Sequence, residues 1–122
     1  MRGQAIRERA QGARAGDLGR RLETLDPALL EWSDSYIFGT VWARPGIAHE
    51  ERMLVAIASL ASLGNLAQLR NYFHGALQDG MSAEKINEAV LMLGIYAGFP
   101  TMLSAMDCWK QALAAHERQP TE

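Results

Sequence analysis

The segment from residue 69 to residue 102 restricts the fold most strongly, because helix ends and helix starts alternate through it at short intervals. Gly80 stands where a glycine in the left-handed conformation would end one helix, and Ser82 can cap the next. Gly98 and Pro100 would end that second helix and begin a third. Apolar residues recur at helical spacing between these breakers, and no stretch of the sequence alternates as a strand would. The pattern predicts an all-α domain, a single helical bundle of about six helices.

Length and charge exclude several classes of protein. The 122 residues suffice for one domain, and the formal net charge of −2 gives no electrostatic reason to expect nucleic-acid binding. No apolar run approaches the ~18 residues that a membrane-spanning helix needs. The N-terminus also lacks the apolar core of a secretory signal. We therefore expect a cytoplasmic protein that binds neither nucleic acid nor membrane.

The sequence divides into three segments. Residues 1–24 mix small, basic and apolar types without a firm period, so we expect an N-terminal arm that is helical or partly disordered. Asp26 and Pro27 suit a helix cap and a first helical position, which places the domain at residues 25–116. Residues 117–122 form a polar tail.

Local signals place further boundaries inside the domain. The first helix should carry Trp32 and Tyr36 on one face, and three breakers within residues 39–46 predict a loop. Asn65, with Gln68 three residues later, has the pattern of a capping box.

The helix at residues 82–97 carries apolar residues on two faces. Val90 and Leu93 belong to one stripe, whereas Met92 and Tyr96 belong to another. A helix of this kind is central in its domain or is buried by a partner subunit. We therefore expect an obligate homo-oligomer.

The helix that precedes Gly80 carries the best candidates for chemistry. Arg70 and His74 stand four residues apart, so they project from one flank of the helix, and Tyr72 lies on the opposite flank. The planar guanidinium of Arg70 can bind a carboxylate through two hydrogen bonds. The imidazole of His74 titrates near neutral pH, as a general acid or base requires, and Tyr72 could donate to an oxyanion. The alternative is that His74 is structural or solvated and that Tyr72 only packs.

Four other residues are candidates for substrate binding. Trp42 and Arg44 lie in the predicted loop, and loops carry binding groups more often than their length suggests. Alternatively, Trp42 fills the core and Arg44 is solvated. Tyr96 is either a hydrogen-bond donor or a core residue, and His49 could be a second acid–base group. The prediction is one pocket that is lined by Trp42, Arg44, Arg70, Tyr72 and His74.

Five pieces of the sequence, in order and at matching spacing over roughly residues 25–114, resemble the carboxymuconolactone decarboxylase family. They are FGTVWARPGI (38–47), RMLVAIASLA (52–61), QLR (68–70), GALQDGMS (75–82) and YAGFP (96–100). The resemblance implies an all-α fold and a homo-oligomer, often a hexamer built as a trimer of dimers. It further implies no metal, no organic cofactor and a lyase that decarboxylates a small carboxylated lactone or related aromatic-derived ring compound by acid/base chemistry.

The sequence departs from the family pattern at three positions. Asn65 and Gln68 replace the paired cysteines of the peroxidase-like branch, so the chain resembles the thiol-free branch. Tyr72 stands where the family histidine is usual, and a shift of two residues turns His74 by ~200° from that position. The reaction therefore stays open between the lyase, an isomerase or cyclase on a phenolic or polyketide-like ring, and a catalytically silent small-molecule-binding protein. A lyase should bring Arg70 and His74 to one cavity, whereas a silent member should have them in solvent or in salt bridges.

Overall fold

The structure is a computed structural model that describes residues 2–118, and the last four residues of the predicted polar tail lie outside this range. The described residues form seven α-helices, a 3-10 turn and a π-helical segment, without a strand. The all-α prediction is therefore confirmed. The elements are α1 (Arg2–Gln11), the 3-10 turn (Gly12–Arg14), α2 (Ala15–Leu25), α3 (Pro27–Trp32), the π-helical segment (Ser33–Val41), α4 (His49–Leu63), α5 (Leu66–Gln78), α6 (Ala83–Tyr96) and α7 (Phe99–Glu117).

Several helix boundaries follow from local side-chain chemistry. The carboxylate of Asp26 accepts a hydrogen bond from the backbone N–H of Ala28 at 2.9 Å. The hydroxyl of Ser82 accepts one from the backbone N–H of Lys85 at 3.1 Å. Gly80 has a φ of 98°, a conformation that glycine adopts without steric penalty. These three signals were legible in the sequence because each acts within a few residues.

The prediction of a capping box at Asn65 is wrong. Asn65 makes no side-chain hydrogen bond to the start of α5. One half of such a box occurs instead at the start of α4, where a Glu51 carboxylate oxygen accepts from the backbone N–H of Ala48 at 2.7 Å. The Glu51 side chain thus satisfies one of the free donors at that helix terminus.

The π-helical segment changes which residues face the core. A π turn contains more residues than an α turn, so the buried positions shift along Ser33–Val41. Asp34 and Phe38 are buried, whereas Trp32 and Tyr36 are 59% and 63% exposed. Because the segment continues to residue 41, the first three residues of the predicted loop belong to it.

Helix α5 lies at the centre of the bundle. It packs against α1, α4 and α7, and the fully buried ring of Phe73 lies 5.2 Å from that of Trp109, centroid to centroid. The indole N–H of Trp109 donates to the side-chain oxygen of Asn87 at 3.1 Å, so this buried polar atom is satisfied. No helix in the described part of the chain is both long and apolar enough to cross a membrane.

The N-terminal arm, of which residues 2–24 are described, is helical and packs on the domain. Helix α1 lies against both the π-helical segment and α5. The guanidinium of Arg7, which is 5% exposed, donates from Nε to Asp34 Oδ1 at 2.6 Å and from Nη1 to the Ala15 carbonyl at 2.9 Å. The arm is therefore anchored by a buried, hydrogen-bonded charge pair.

Candidate functional site

Arg70 and His74 line one cavity, of about 330 Å³, between α5, the end of α7 and the arm. We call it the cationic cavity. Trp42, Arg44 and Tyr72 do not contribute to it. Its lining consists of Ala13, Arg14, Asp17, Arg70, His74, Gln78 and Ala115.

Helix α5 fixes the positions of the two predicted residues. Leu69 and Phe73, each fully buried, alternate along the helix with Arg70 and His74 and hold its apolar face in the core. Arg70 Nη1 donates to Gln111 Oε1, on α7, at 3.1 Å. The guanidinium is thus oriented by a neutral amide, and it retains further N–H donors for a ligand.

Positive charge in the cationic cavity is poorly compensated. Arg14 Nη1 donates to Asn71 Oδ1 at 3.1 Å, and within residues 2–118 neither Arg14 nor Arg70 takes part in an ion pair. Asp17 is an acid in the lining, but its carboxylate forms a close ion pair with Arg20. The cavity therefore presents two guanidinium groups that are free to attract an anion.

His74 is buried, with 6% of its surface exposed, although the sequence placed it on a flank outside the core. Burial lowers the pKa of His74, and the positive charges of Arg14, Arg70 and His116 lower it further. The imidazole is accordingly neutral at neutral pH. An anion bound next to it would offset these charges and raise its pKa, which would favour proton uptake.

A second group of predicted residues lies on the other flank of α5. The ring centroid of Trp42 is 5.1 Å from that of Phe38, 5.5 Å from that of His49 and 6.2 Å from that of Tyr72. We call these four residues the aromatic cluster. Burial raises the pKa of Tyr72, and a hydrogen bond with the side chain of Gln11 opposes this effect. The phenol therefore stays protonated at neutral pH.

The single pocket predicted from the sequence is divided in two by α5. A step of two residues turns a helical side chain by ~200°, so Tyr72 points away from Arg70 and His74. Trp42 lies on the same side of α5 as Tyr72, because the two rings are neighbours. Arg44 joins neither group: it is exposed, and its carbonyl accepts from Arg52 Nη2 at 2.7 Å.

The other two candidates lie apart from the cationic cavity. Tyr96 is 82% exposed at the end of α6, so its interpretation as a core residue is wrong. His49 is half-buried beside Trp42, and its Nε2 atom is buried without a hydrogen-bond partner in the described residues. Burial lowers the pKa of His49, and the charge of Arg9 lowers it further.

Sequence reasoning missed the residues of the arm, above all Arg14. The sequence predicts an arm separate from the domain, whereas the structure places Arg14 and Asp17 in the cavity wall. One signal was present in Gly75, a glycine in the interior of a helix, which often marks the close approach of another backbone. A Cβ atom at Gly75 would lie 1.8 Å from the carbonyl oxygen of Ala10, on α1.

The described part of the chain contains neither an activated thiol nor a cluster of metal-binding side chains. Cys108 is buried, its thiol lies 3.7 Å from the carbonyl oxygen of Leu66, and burial raises its pKa, so the reactive thiolate is disfavoured. Among residues 2–118, no three His, Cys, Asp or Glu side chains are grouped as a metal ion would require.

These features define an all-helical bundle protein with a cation-lined cavity beside its central helix. The model of the carboxymuconolactone decarboxylase family matches residues 27–111, well over half of the chain, so the protein belongs to this family.

Two curated relatives are similar to the chain over part of their length. The 4-carboxymuconolactone decarboxylase of Acinetobacter baylyi is 35% identical over 71 residues, which cover 58% of this chain and 53% of the relative. The nitrosuccinic acid decarboxylase of Metarhizium robertsii is 32% identical over 78 residues, which cover 64% of this chain and 52% of the relative. The chain thus spans about half the length of these relatives. The family match includes Arg70 and His74, but it begins after the arm.

Proposed function

We propose that the protein is a decarboxylase-type lyase, independent of a cofactor, that acts on a small carboxylated ring compound in the cationic cavity. The observation that carries this proposal is the convergence of Arg70 and His74 on one cavity whose guanidinium groups have no carboxylate partner in the described residues. A lyase requires these two side chains at one cavity, whereas a catalytically silent member would leave them in solvent or in salt bridges. Both relatives are named decarboxylases, which supports the same reaction type.

The proposed reaction breaks the bond between the substrate carboxylate and its ring carbon. Carbon dioxide leaves, and the electron pair of the broken bond flows into a conjugated carbonyl of the substrate. Arg70 orients an anionic group of the substrate through charge-assisted hydrogen bonds, and cations near the developing oxyanion stabilise it. His74, protonated when the anion binds, then delivers a proton to the carbanion carbon.

A second candidate is a catalytically silent protein that binds the same kind of ligand. The observation that favours it is Tyr72, which occupies the position of the usual family histidine and is packed against Trp42. A buried, protonated phenol is a weaker proton donor at neutral pH than an imidazolium. An isomerase or cyclase that acts on a phenolic ring is compatible with the same residues.

We also propose that the protein works as a homo-oligomer, most simply a hexamer of three dimers. The exposed apolar residues of α6 and α7 support this part of the proposal, and among them are Met92, Ile95 and Tyr96.

The first prediction tests the lyase with 4-carboxymuconolactone as substrate, by measuring carbon dioxide release and substrate binding. Arg70→Gln should weaken binding by about 1.5–3 kcal/mol, since it removes a charge-assisted hydrogen bond. His74→Gln, which fills the buried site better than alanine, should bind normally and turn over roughly 10²-fold more slowly. Lys110→Gln, an exposed position on α7, is the control and should behave as the wild type.

Binding by the wild-type protein without release of carbon dioxide would refute the lyase and support the silent candidate. A wild-type rate in His74→Gln would show that the proton donor lies elsewhere, and Tyr72 or His49 would be examined next.

A further inference from the structure

We infer that Arg14 is a ligand-binding residue of the cationic cavity, supplied by an N-terminal arm that lies outside the family match. The arm would thereby set the preference of the site for a ligand with two anionic groups. The inference rests on the proposed function only in taking the cationic cavity as the ligand site.

The arm is held to the domain by a buried polar network. Arg7 donates to Asp34 Oδ1 at 2.6 Å, and the two side chains are 6% and 11% exposed. The same guanidinium donates to the Ala15 carbonyl at 2.9 Å and to Gln11 Oε1 at 3.3 Å. A buried charge with this many partners is costly to displace, so the position of α1 is fixed.

Two glycines show that the arm touches the domain backbone to backbone. A Cβ atom at Gly3 would lie 1.6 Å from the carbonyl oxygen of Asp34, and one at Gly75 would lie 1.8 Å from that of Ala10. These contacts lie towards opposite ends of α1. The helix is thus docked along its length, and no side chain larger than hydrogen fits at either point.

The 3-10 turn then brings Arg14 to the cavity. Gly12 has a φ of 64°, which turns the chain after α1. The backbone N–H of Ala13 donates to Gln78 Oε1 at 2.6 Å, so the turn is bonded to α5. Arg14 Nη1 donates to Asn71 Oδ1, also on α5, at 3.1 Å. The position of this guanidinium is therefore determined by the docking of the arm on α5.

The charges of the cavity favour a ligand with two anionic groups. Arg14 and Arg70 each contact a neutral amide, and each has further N–H donors. They belong to different elements, and both lower the pKa of the imidazole of His74, so their charges act on the same space. One carboxylate can neutralise only one of them. A volume of about 330 Å³ suits a small molecule.

The experiment compares phthalate, a ring with two carboxylates, with benzoate, a ring with one, by isothermal titration calorimetry. Neither probe requires turnover. The wild-type protein should bind phthalate more tightly. Arg14→Gln should lose roughly tenfold or more in phthalate affinity and much less in benzoate affinity, as expected for one charge-assisted contact. Arg14→Lys should recover part of the loss, because it restores the charge without the planar fork.

Arg21→Gln is the matched control, since Arg21 is an exposed arginine of the same arm that does not line the cationic cavity. It should bind both probes as the wild type does. Unchanged phthalate affinity in Arg14→Gln would overturn the inference, and so would a wild-type protein that does not prefer phthalate. The inference and the lyase can fail separately: binding that depends on Arg14 without carbon dioxide release refutes only the lyase. Turnover that is indifferent to Arg14, in a variant that binds phthalate normally, refutes only the inference.

Discussion

At the scale of single residues, folding lowers the pKa of His49 and of His74, and burial is the largest cause for both. In the unfolded chain both imidazoles take up a proton near pH 6.5, whereas in the folded protein they take it up only at a lower pH. The unfolded state therefore binds more protons below pH 6.5. It follows that stability is fully present above that pH and declines as the pH falls through the folded pKa values.

We accordingly predict that the free energy of unfolding, measured with urea, falls between pH 7.5 and pH 5.5. In His74→Gln the fall should be smaller, because one of the two linked protons is gone, and in the double variant with His49→Gln it should be smaller still. The lowered pKa values of His49 and His74 would be contradicted if the wild-type free energy of unfolding stayed constant over this range. They would also be contradicted if it fell as steeply with pH in the double variant as in the wild type.

The sequence predicted which residues share the site only where those residues lie close together along the chain. Arg70 and His74 could be paired because both lie on one helix, whose geometry is known from its spacing. Arg14 lies 56 residues before Arg70 in sequence and reaches the same cavity only through the docking of the arm. That docking depends on the buried pair between Arg7 and Asp34, which no local pattern indicates.

At the scale of elements, the attachment of α1 to the π-helical segment depends on the pair between Arg7 and Asp34. Arg7→Gln leaves a buried carboxylate without its partner, and we expect it to destabilise the protein by about 3–5 kcal/mol in urea unfolding. The control is Arg9→Gln, which breaks the ion pair between Arg9 and Asp79. The Arg9 side chain is 55% exposed and that of Asp79 is 29% exposed. Its effect should stay within about 1 kcal/mol. Equal effects of the two variants would show that the arm is not docked in solution.

Two glycine substitutions separate helix propensity from docking. A Cβ atom at Gly16, in α2, would meet only the flexible Arg20 side chain, at 3.6 Å, so Gly16→Ala should stabilise the protein by up to about 1 kcal/mol. Gly75→Ala makes the same chemical change in α5, but it meets the backbone of Ala10 at 1.8 Å and should destabilise the protein by displacing α1. Hydrogen exchange should show weaker protection of α1 in Gly75→Ala alone. Stabilisation by both substitutions would be incompatible with the close approach of the helices.

The boundaries of the elements were predictable where they depend on caps, and not where they depend on packing. Asp26 and Ser82 begin helices through hydrogen bonds to residues two and three positions ahead. The π-helical segment has no such local signal, and the burial of Asp34 and Phe38 within it depends on contacts with distant parts of the chain. Asn65 shows the converse case, in which a suitable cap sequence makes no cap.

At the scale of the whole molecule, a continuous part of the sequence leaves large apolar side chains in solvent. One stripe of α6, which includes Val90 and Leu93, is buried as the periodicity indicates, and the other stripe is not. Large exposed apolar patches on soluble proteins usually mark interaction surfaces. The exposed large apolar residues of α6 and α7 are Leu91 (44%), Met92 (57%), Ile95 (75%), Tyr96 (82%), Phe99 (61%) and Leu103 (53%).

We therefore expect these residues to lie between copies of the chain, because contact with a second copy buries them without any other partner. Ile95→Glu places a charge among these residues, and burying an unpaired charge strongly disfavours association. In sedimentation equilibrium at micromolar concentration the wild type should be an oligomer, most simply a hexamer, and Ile95→Glu should shift it to smaller species. Leu25→Glu, the same kind of change at a 65% exposed apolar position at the end of α2, should leave the oligomer intact. A wild-type protein that sediments as a stable, folded monomer would exclude the assembly, and an unchanged oligomer in Ile95→Glu would place the interface on another surface.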